Sequence, residues 1–278
     1  MTVSVSMITY NHELYLKQAI ASVLMQETDF EYELVIANDN SPDNSDEIIR
    51  EFIKSDPNGH KIKYLHRKEN LGMMPNFIDL VKNCNGKYIA ICEGDDYWTD
   101  KKKLQKQIDF LEKNKGYVIC YHEVDIEKNN VIIADNLTYG NRKTTTIKNL
   151  AKRNYIHTCS VVYKNNLFDS FPEYFHSTPI GDYFLHMLNA RYGKLYCIKE
   201  KMAVYRVHEN SYWSSKKETE QKEIWARFLK NIMPNFDYKI QNYLQVQIEK
   251  TTGTFKKKNI FKKLKQEIYF FYKDVLKL

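Results

Sequence analysis

The 278-residue chain is 43% hydrophobic and 14% aromatic, enough for one sizeable core and a small appendage. With 9 glycines and 6 prolines it is neither fibrous nor low-complexity. Its net charge of +7 is confined to one end: residues 214–278 carry 15 Lys and Arg against 7 Asp and Glu, so the near-neutral remainder argues against a nucleic-acid-binding body.

No apolar run approaches the roughly 20 residues that span a bilayer. Met1–Tyr10 lacks the basic start and apolar core of a signal peptide and reads as a first strand. The five cysteines, Cys84, Cys92, Cys120, Cys159 and Cys197, are scattered, with no CxxC or HExxH spacing. That disfavours a structural zinc and fits reduced, buried thiols in a cytoplasmic protein.

Taken in order, Val3–Ile8 is a short β-rich run, followed by Thr9-Tyr10-Asn11-His12 and a helical pattern through Leu14, Ile20 and Leu24. Tyr32–Ala37 is a second run, ending in Asn38-Asp39-Asn40-Ser41-Pro42. A helix from about Asp43 to Lys54 has Ile48, Ile49 and Phe52 on its apolar face. Ile62–Leu65 is a third strand, His66–Pro75 a polar loop, Asn76–Val81 a helix and Tyr88–Cys92 a fourth strand. This alternation predicts a parallel sheet with right-handed crossovers.

The fourth run stops abruptly at Glu93, Asp95 and Asp96. In open α/β sheets, ligands bind at the carboxyl ends of the strands. Carboxylates packed so closely repel one another, and a hard divalent cation, Mg²⁺ or Mn²⁺, would neutralise them while bridging a substrate diphosphate. A solvated acidic turn capping the next helix is the bland alternative. No glycine-rich phosphate loop follows the first strand, so phosphates would need a metal here. Asp39, at the end of strand two, is placed to meet a base or ribose, or to cap its own turn.

Lys101–Asn114 reads as an amphipathic helix with Leu104, Ile108 and Leu111 inward. Tyr117–Tyr121, Val131–Ala134 and Thr158–Tyr163 read as strands, and Thr144–Arg153 as a connector. Gly181-Asp182 opens a helical run through Leu188. Leu195–Ile198 and Met202–Tyr205 are late strands leading to Arg206-Val207-His208, where Arg206 and His208 share one face of an extended segment.

The ordered set of motifs resembles the inverting glycosyltransferases of family 2, with the GT-A fold. The matching stretches are Val3-Ser-Val-Ser-Met-Ile-Thr-Tyr-Asn11, Val35-Ile-Ala-Asn-Asp-Asn-Ser-Pro-Asp43, Glu69-Asn-Leu-Gly72, Gly86 through Trp98, Gly181-Asp-Tyr-Phe-Leu185 and Tyr205-Arg-Val-His208. Three departures stand out: Asn38-Asp39 replaces a pair of aspartates, Glu93 replaces the first aspartate of a DxD signature, and Gly181 stands where an acidic residue usually precedes the base. The resemblance implies an α/β fold with a Rossmann-like, mostly parallel sheet over 1–214, followed by a helical tail over 215–278. It implies that Thr9, Tyr10, Asn11, Asp39, Lys87, Glu93, Asp95, Asp96 and Arg206 bind the donor. Asp95 and His208 would hold Mn²⁺ or Mg²⁺, Asp182 would be the catalytic base, and Trp98 and His157 would touch the acceptor.

The activity so implied is metal-dependent, inverting transfer from a nucleotide-diphosphate sugar, a UDP-sugar first, to a glycan or lipid-linked acceptor in bacterial polysaccharide assembly. A nucleotidyltransferase would need the absent phosphate loop. A non-catalytic membrane-surface module would not need Asp95, Asp182 and His208 together. In the tail, Ile260, Phe261, Leu264, Ile268 and Phe271 accompany a dense lysine face. That pattern fits a helix on an anionic membrane surface, and a solvated helix packed on the catalytic domain equally well.

Overall fold

The computed structural model describes residues 1–138, 142–209, 211, 213 and 215–255. The lysine-rich helix expected over 259–276, and the membrane contact attached to it, lie outside these residues. The chain divides into two compact units, Met1–Lys216 and Lys217–Leu278. Among the described residues no helix is long and apolar enough to cross a membrane.

The first unit is built on one mixed sheet. Its parallel half comprises β1 (Val3–Thr9), β2 (Tyr32–Asn38), β3 (Ile62–His66) and β4 (Tyr88–Ile91), in the order β3-β2-β1-β4. Helices α1 (Glu13–Leu24), α2 (Ser45–Ser55) and α3 (Met73–Lys82) supply the crossovers. Val3, Val5, Leu34, Ile36, Tyr88 and Ala90, alternate residues along these strands, are buried in one core, and Ser4 and Ser6 on the other face of β1 are buried too. The registers Val3↔Tyr32 and Val3↔Tyr88 bring the carboxyl ends of β1, β2 and β4 to one edge.

The other half departs from the parallel expectation. It contains β5 (Tyr97–Trp98), β6 (Tyr117–Lys128), β7 (Val131–Ile133), β8 (Thr144–Thr145), β9 (Val162–Lys164) and β10 (Lys194–Val207). Strand β9 enters antiparallel between β4 and β6, while β10 runs parallel to β6 and antiparallel to β5. Only the end of the expected Thr158–Tyr163 strand forms. Thr158–Ser160 is a 3-10 turn, closed by the Ser160 N–H to the His157 carbonyl at 3.0 Å. The two expected late strands are one, β10, whose pairing with β6 shifts register near Ile198 and Lys201. These irregularities split its apolar pattern in two. Helices α4 (Lys103–Lys113), α5 (Ile147–Leu150) and α6 (Gly181–Asn189) complete the unit.

The described part of the second unit is a helix pair, α7 (Glu218–Ile232) and α8 (Tyr238–Thr251). Asp237 caps α8 by accepting from the Ile240 N–H, and the Trp225 indole donates to Gln247 at 2.8 Å across the pair.

Candidate active site

Three strand ends build one side of the site. Thr9, at the end of β1, is buried, and its hydroxyl has no partner among the described residues. Tyr10 beyond it is 48% exposed, an open aromatic face at the sheet edge. Asn11 adopts φ 60°, a left-handed conformation that asparagine tolerates, and its N–H donates to Ser41 at 3.1 Å. Asp39 follows β2 and is buried. Its two carboxylate oxygens accept the N–H groups of Leu71 (2.8 Å) and Gly72 (2.9 Å). It does not cap its own turn; it draws the 70–72 loop over the strand end.

Strand β4 delivers the acidic turn. The Cys92 and Gly94 N–H groups continue the ladder to the carbonyls of Ser6 and Ile8, and Glu93, Asp95 and Asp96 then converge. Oxygens from these three carboxylates lie within 4.8 Å of one another. Burial and the neighbouring acids, Asp95 first, push Glu93 well above the usual carboxylate range. Burial and Asp95 do the same to Asp96. Burial opposes the charge of Asp95 too, but His12 and His208 outweigh it and hold Asp95 below its ordinary value. Nε2 of His208 is 3.1 Å from Asp95 Oδ2, and Nε2 of His12 is 3.9 Å from the same oxygen.

A divalent cation fits this donor set. With no cation beside them Glu93 and Asp96 are pushed toward the neutral form, and Oδ2 of Asp96 is buried without a partner among the described residues. Asp95 and His208 offer a carboxylate oxygen and an imidazole nitrogen to one point.

The opposite wall carries Asp182, in the first turn of α6. Thr158 Oγ1 lies 3.5 Å from its carboxylate. Burial raises its pKa; the Tyr183 N–H and the nearby His157 offset part of that rise. The charge of Asp182 also reaches Glu93, which puts this aspartate in the neighbourhood of the acidic turn. His157 bonds to Asp135 at 3.1 Å, which holds the Asp135 carboxyl at about 2 against the effect of burial. Gly181 has a packing reason: a Cβ there would lie 2.3 Å from Met74 Sδ on α3. An acidic residue at this position would have to displace the end of the Met74 side chain.

Three expected site residues are seated differently. Lys87 precedes β4 and so stands at the amino end of the strand, paired with Glu112. Six residues at about 3.3 Å each put it roughly 20 Å along the chain from the acidic turn. Trp98 is 1% exposed, donates its indole N–H to the Cys159 carbonyl at 2.9 Å, and carries the Lys103 ammonium over its ring at 3.9 Å. Side chains alternate along β5, so Tyr97 takes the site face and Trp98 the core. The Arg206 guanidinium is engaged inside the protein by the Asp95 carbonyl, Gln18 and Glu127, between the rings of Tyr97 (4.3 Å) and Tyr15 (5.3 Å). It braces the turn rather than facing open space.

Sequence reasoning missed His12, Asp135 and Tyr97 as site neighbours. His12 alone carried a signal, a histidine directly after the first strand.

Residues 4–175 match the family described as Glycosyl transferase family 2. The chain belongs to that family. It is 34% identical over 229 residues to an uncharacterised protein of Mycobacterium tuberculosis, covering 80% of this chain and 63% of the relative's length. It is 29% identical over 259 residues to the UDP-Glc:alpha-D-GlcNAc-diphosphoundecaprenol beta-1,3-glucosyltransferase WfgD of Escherichia coli, covering 91% and 96% of the two chains. Among solved structures, S. aureus TarS in complex with UDP-GlcNAc aligns with TM-score 0.65 at 16% identity, over 94% of this chain and 75% of that one. The mannosyltransferase PcManGT from Pyrobaculum calidifontis, in complex with GDP-Man and Mn²⁺, aligns with TM-score 0.67 at 13% identity, over 89% and 69%. These likenesses establish the GT-A fold.

Proposed function

We propose that this family 2 protein transfers a sugar, with inversion, from a nucleotide-diphosphate donor to a hydroxyl of a glycan or lipid-linked acceptor in surface-polysaccharide assembly. One observation carries the reading: the Glu93–Asp96 turn, at the carboxyl edge of the parallel strands, meets His208 through Asp95 and feels the charge of Asp182 at Glu93. The UDP-GlcNAc bound to TarS supports a UDP-sugar as the first donor to test. The diphosphoundecaprenol in the name of WfgD supports a lipid-linked acceptor.

Thr9, Tyr10, Asn11 and the loop held by Asp39 form the nucleoside side of the cleft. Asp95 and His208 would hold Mn²⁺ or Mg²⁺, and the Mn²⁺ in the PcManGT complex supports the ion. A bound cation would neutralise the charge that develops on the departing diphosphate. Asp182 accepts the proton of the acceptor hydroxyl as that oxygen attacks the anomeric carbon from the face opposite the leaving group. Burial raises the pKa of Asp182 and so makes it a stronger base than an exposed aspartate.

Asp182→Asn tests the assignment, because it keeps shape and removes basicity. Transfer from a UDP-sugar should fall by about 10²-fold or more. Affinity for UDP with Mn²⁺ should stay at the wild-type value, since the base acts on the acceptor. Near-normal transfer by the variant would remove Asp182 from the mechanism.

A further inference from the structure

Asp95 is approached by two imidazoles, and the expected metal pair uses only one of them. His208 reaches Asp95 Oδ2 at 3.1 Å from the end of β10. His12 reaches the same oxygen at 3.9 Å from the end of β1. The two rings stand 6.4 Å apart and nearly perpendicular, so they address the carboxylate from different directions.

The local fold keeps His12 there. Its carbonyl caps α1 by accepting from the Tyr15 and Leu16 N–H groups, both at 2.9 Å, while its side chain makes no cap bond. The ring packs over Gly94: a Cβ on that glycine would lie 2.9 Å from His12 Nδ1 and 2.8 Å from Thr9 Oγ1. Nδ1 is buried and has no partner among the described residues. Nε2 is left as the nitrogen turned toward Asp95. The side chains of His12 and Asp95 are each 19% exposed and that of His208 10%, so the point they surround opens to water or to a phosphate.

We propose that His12 is a third protein ligand of the metal, completing with Asp95 and His208 a site of two imidazole nitrogens and one carboxylate oxygen. The proposal rests on the metal-dependent reading above. Metal–ligand bonds of about 2.1 Å put neighbouring ligand atoms roughly 3.0 Å apart and opposite ones roughly 4.2 Å apart. The His208 separation of 3.1 Å fits neighbouring positions. The His12 separation of 3.9 Å lies between the two values, within reach of a small turn of the ring.

The donor set sets the choice of ion. Mg²⁺ favours oxygen ligands and water, whereas imidazole favours transition metals. A site with two imidazoles therefore selects Mn²⁺ or Co²⁺ over Mg²⁺, and His12 is the residue that makes the difference.

The test uses the full chain, with His12→Gln, His12→Ala and Asp95→Ala as variants. Mn²⁺ and Mg²⁺ are titrated calorimetrically, with and without UDP, and the visible absorption of the Co²⁺-loaded protein is recorded. His12 lies outside the core, and a melting curve checks that each variant is folded. The wild type should bind Mn²⁺ at least about tenfold more tightly than Mg²⁺. Both His12 variants should lose about tenfold or more in Mn²⁺ affinity, lose much less for Mg²⁺, and change the Co²⁺ spectrum. Wild-type Mn²⁺ affinity and an unchanged Co²⁺ spectrum in both, with binding abolished by Asp95→Ala, would overturn the role of His12 and leave the metal site standing. A wild type that binds no Mn²⁺ in either condition, or binding that survives Asp95→Ala, would overturn the metal reading itself.

Discussion

The main-chain N–H of Arg206 donates to the Asp96 carboxylate at 2.8 Å, and its guanidinium returns to the Asp95 carbonyl at 2.9 Å. One residue of β10 thus grips the last two residues of the acidic turn. Arg206→Lys keeps the charge but loses the planar fork that also engages Gln18 and Glu127. The variant should lose about 1–3 kcal/mol of stability in urea unfolding. Its Mn²⁺-dependent UDP affinity should drop with the loosened turn. Wild-type stability and UDP affinity would show that the brace is dispensable.

Asp39 joins the end of β2, the proposed nucleoside side of the cleft, to the 70–72 loop through two backbone donors. Asp39→Asn turns an NH₂ group toward one of those N–H groups. The loop should loosen, with faster amide hydrogen exchange at Leu71 and Gly72 and weaker UDP binding. Slow exchange combined with weaker UDP binding would mean instead that Asp39 acts on the nucleotide directly.

Gly94 permits the close approach of the turn to β1. Its Cβ would lie 2.8 Å from Thr9 Oγ1 and 3.0 Å from Thr9 Cβ. Gly94→Ala should cost about 1–3 kcal/mol, the usual range for overpacking, and displace Thr9 and His12 together. Urea unfolding and UDP titration should therefore both shift. A neutral result would show that the turn relaxes freely.

The five cysteines are all free and buried. Burial raises every thiol, Cys197 to about 11 and Cys84 to about 12. Each folded-state pKa lies above the unfolded value of about 8.5. Their stabilising contribution is therefore complete below about pH 8.5 and is lost as pH rises from there toward the folded values. Lys103 works the other way: burial lowers it to about 7, so its contribution grows with pH above that value. Five thiols outweigh one lysine. Unfolding free energy should decline above about pH 8.5, by up to about 1.4 kcal/mol per pH unit for each thiol. Urea unfolding between pH 8 and 10, with Cys84→Ala flattening the slope, measures it.

The strand ends of the parallel half were legible from residues alone. Strands buried on both faces are predominantly apolar, so the places where Val3–Ile8, Tyr32–Ala37 and Tyr88–Cys92 give way to polar turns mark the ligand-binding edge. The same logic located the acidic turn, because three adjacent carboxylates after a buried strand cannot all be accommodated inside. What met that turn was decided only by the tertiary structure. His12, 83 residues before Asp95, and Arg206, 110 after Asp96, reach it through strand order and register. Tyr97 and Trp98 take opposite faces because β5 pairs with β10, and Lys87 points away because it lies at the other end of β4. Gly181 packs against the end of the Met74 side chain on a different helix. A local pattern records which residues avoid water. It does not record which distant side chain fills the space opposite, since that depends on packing between segments the pattern treats separately.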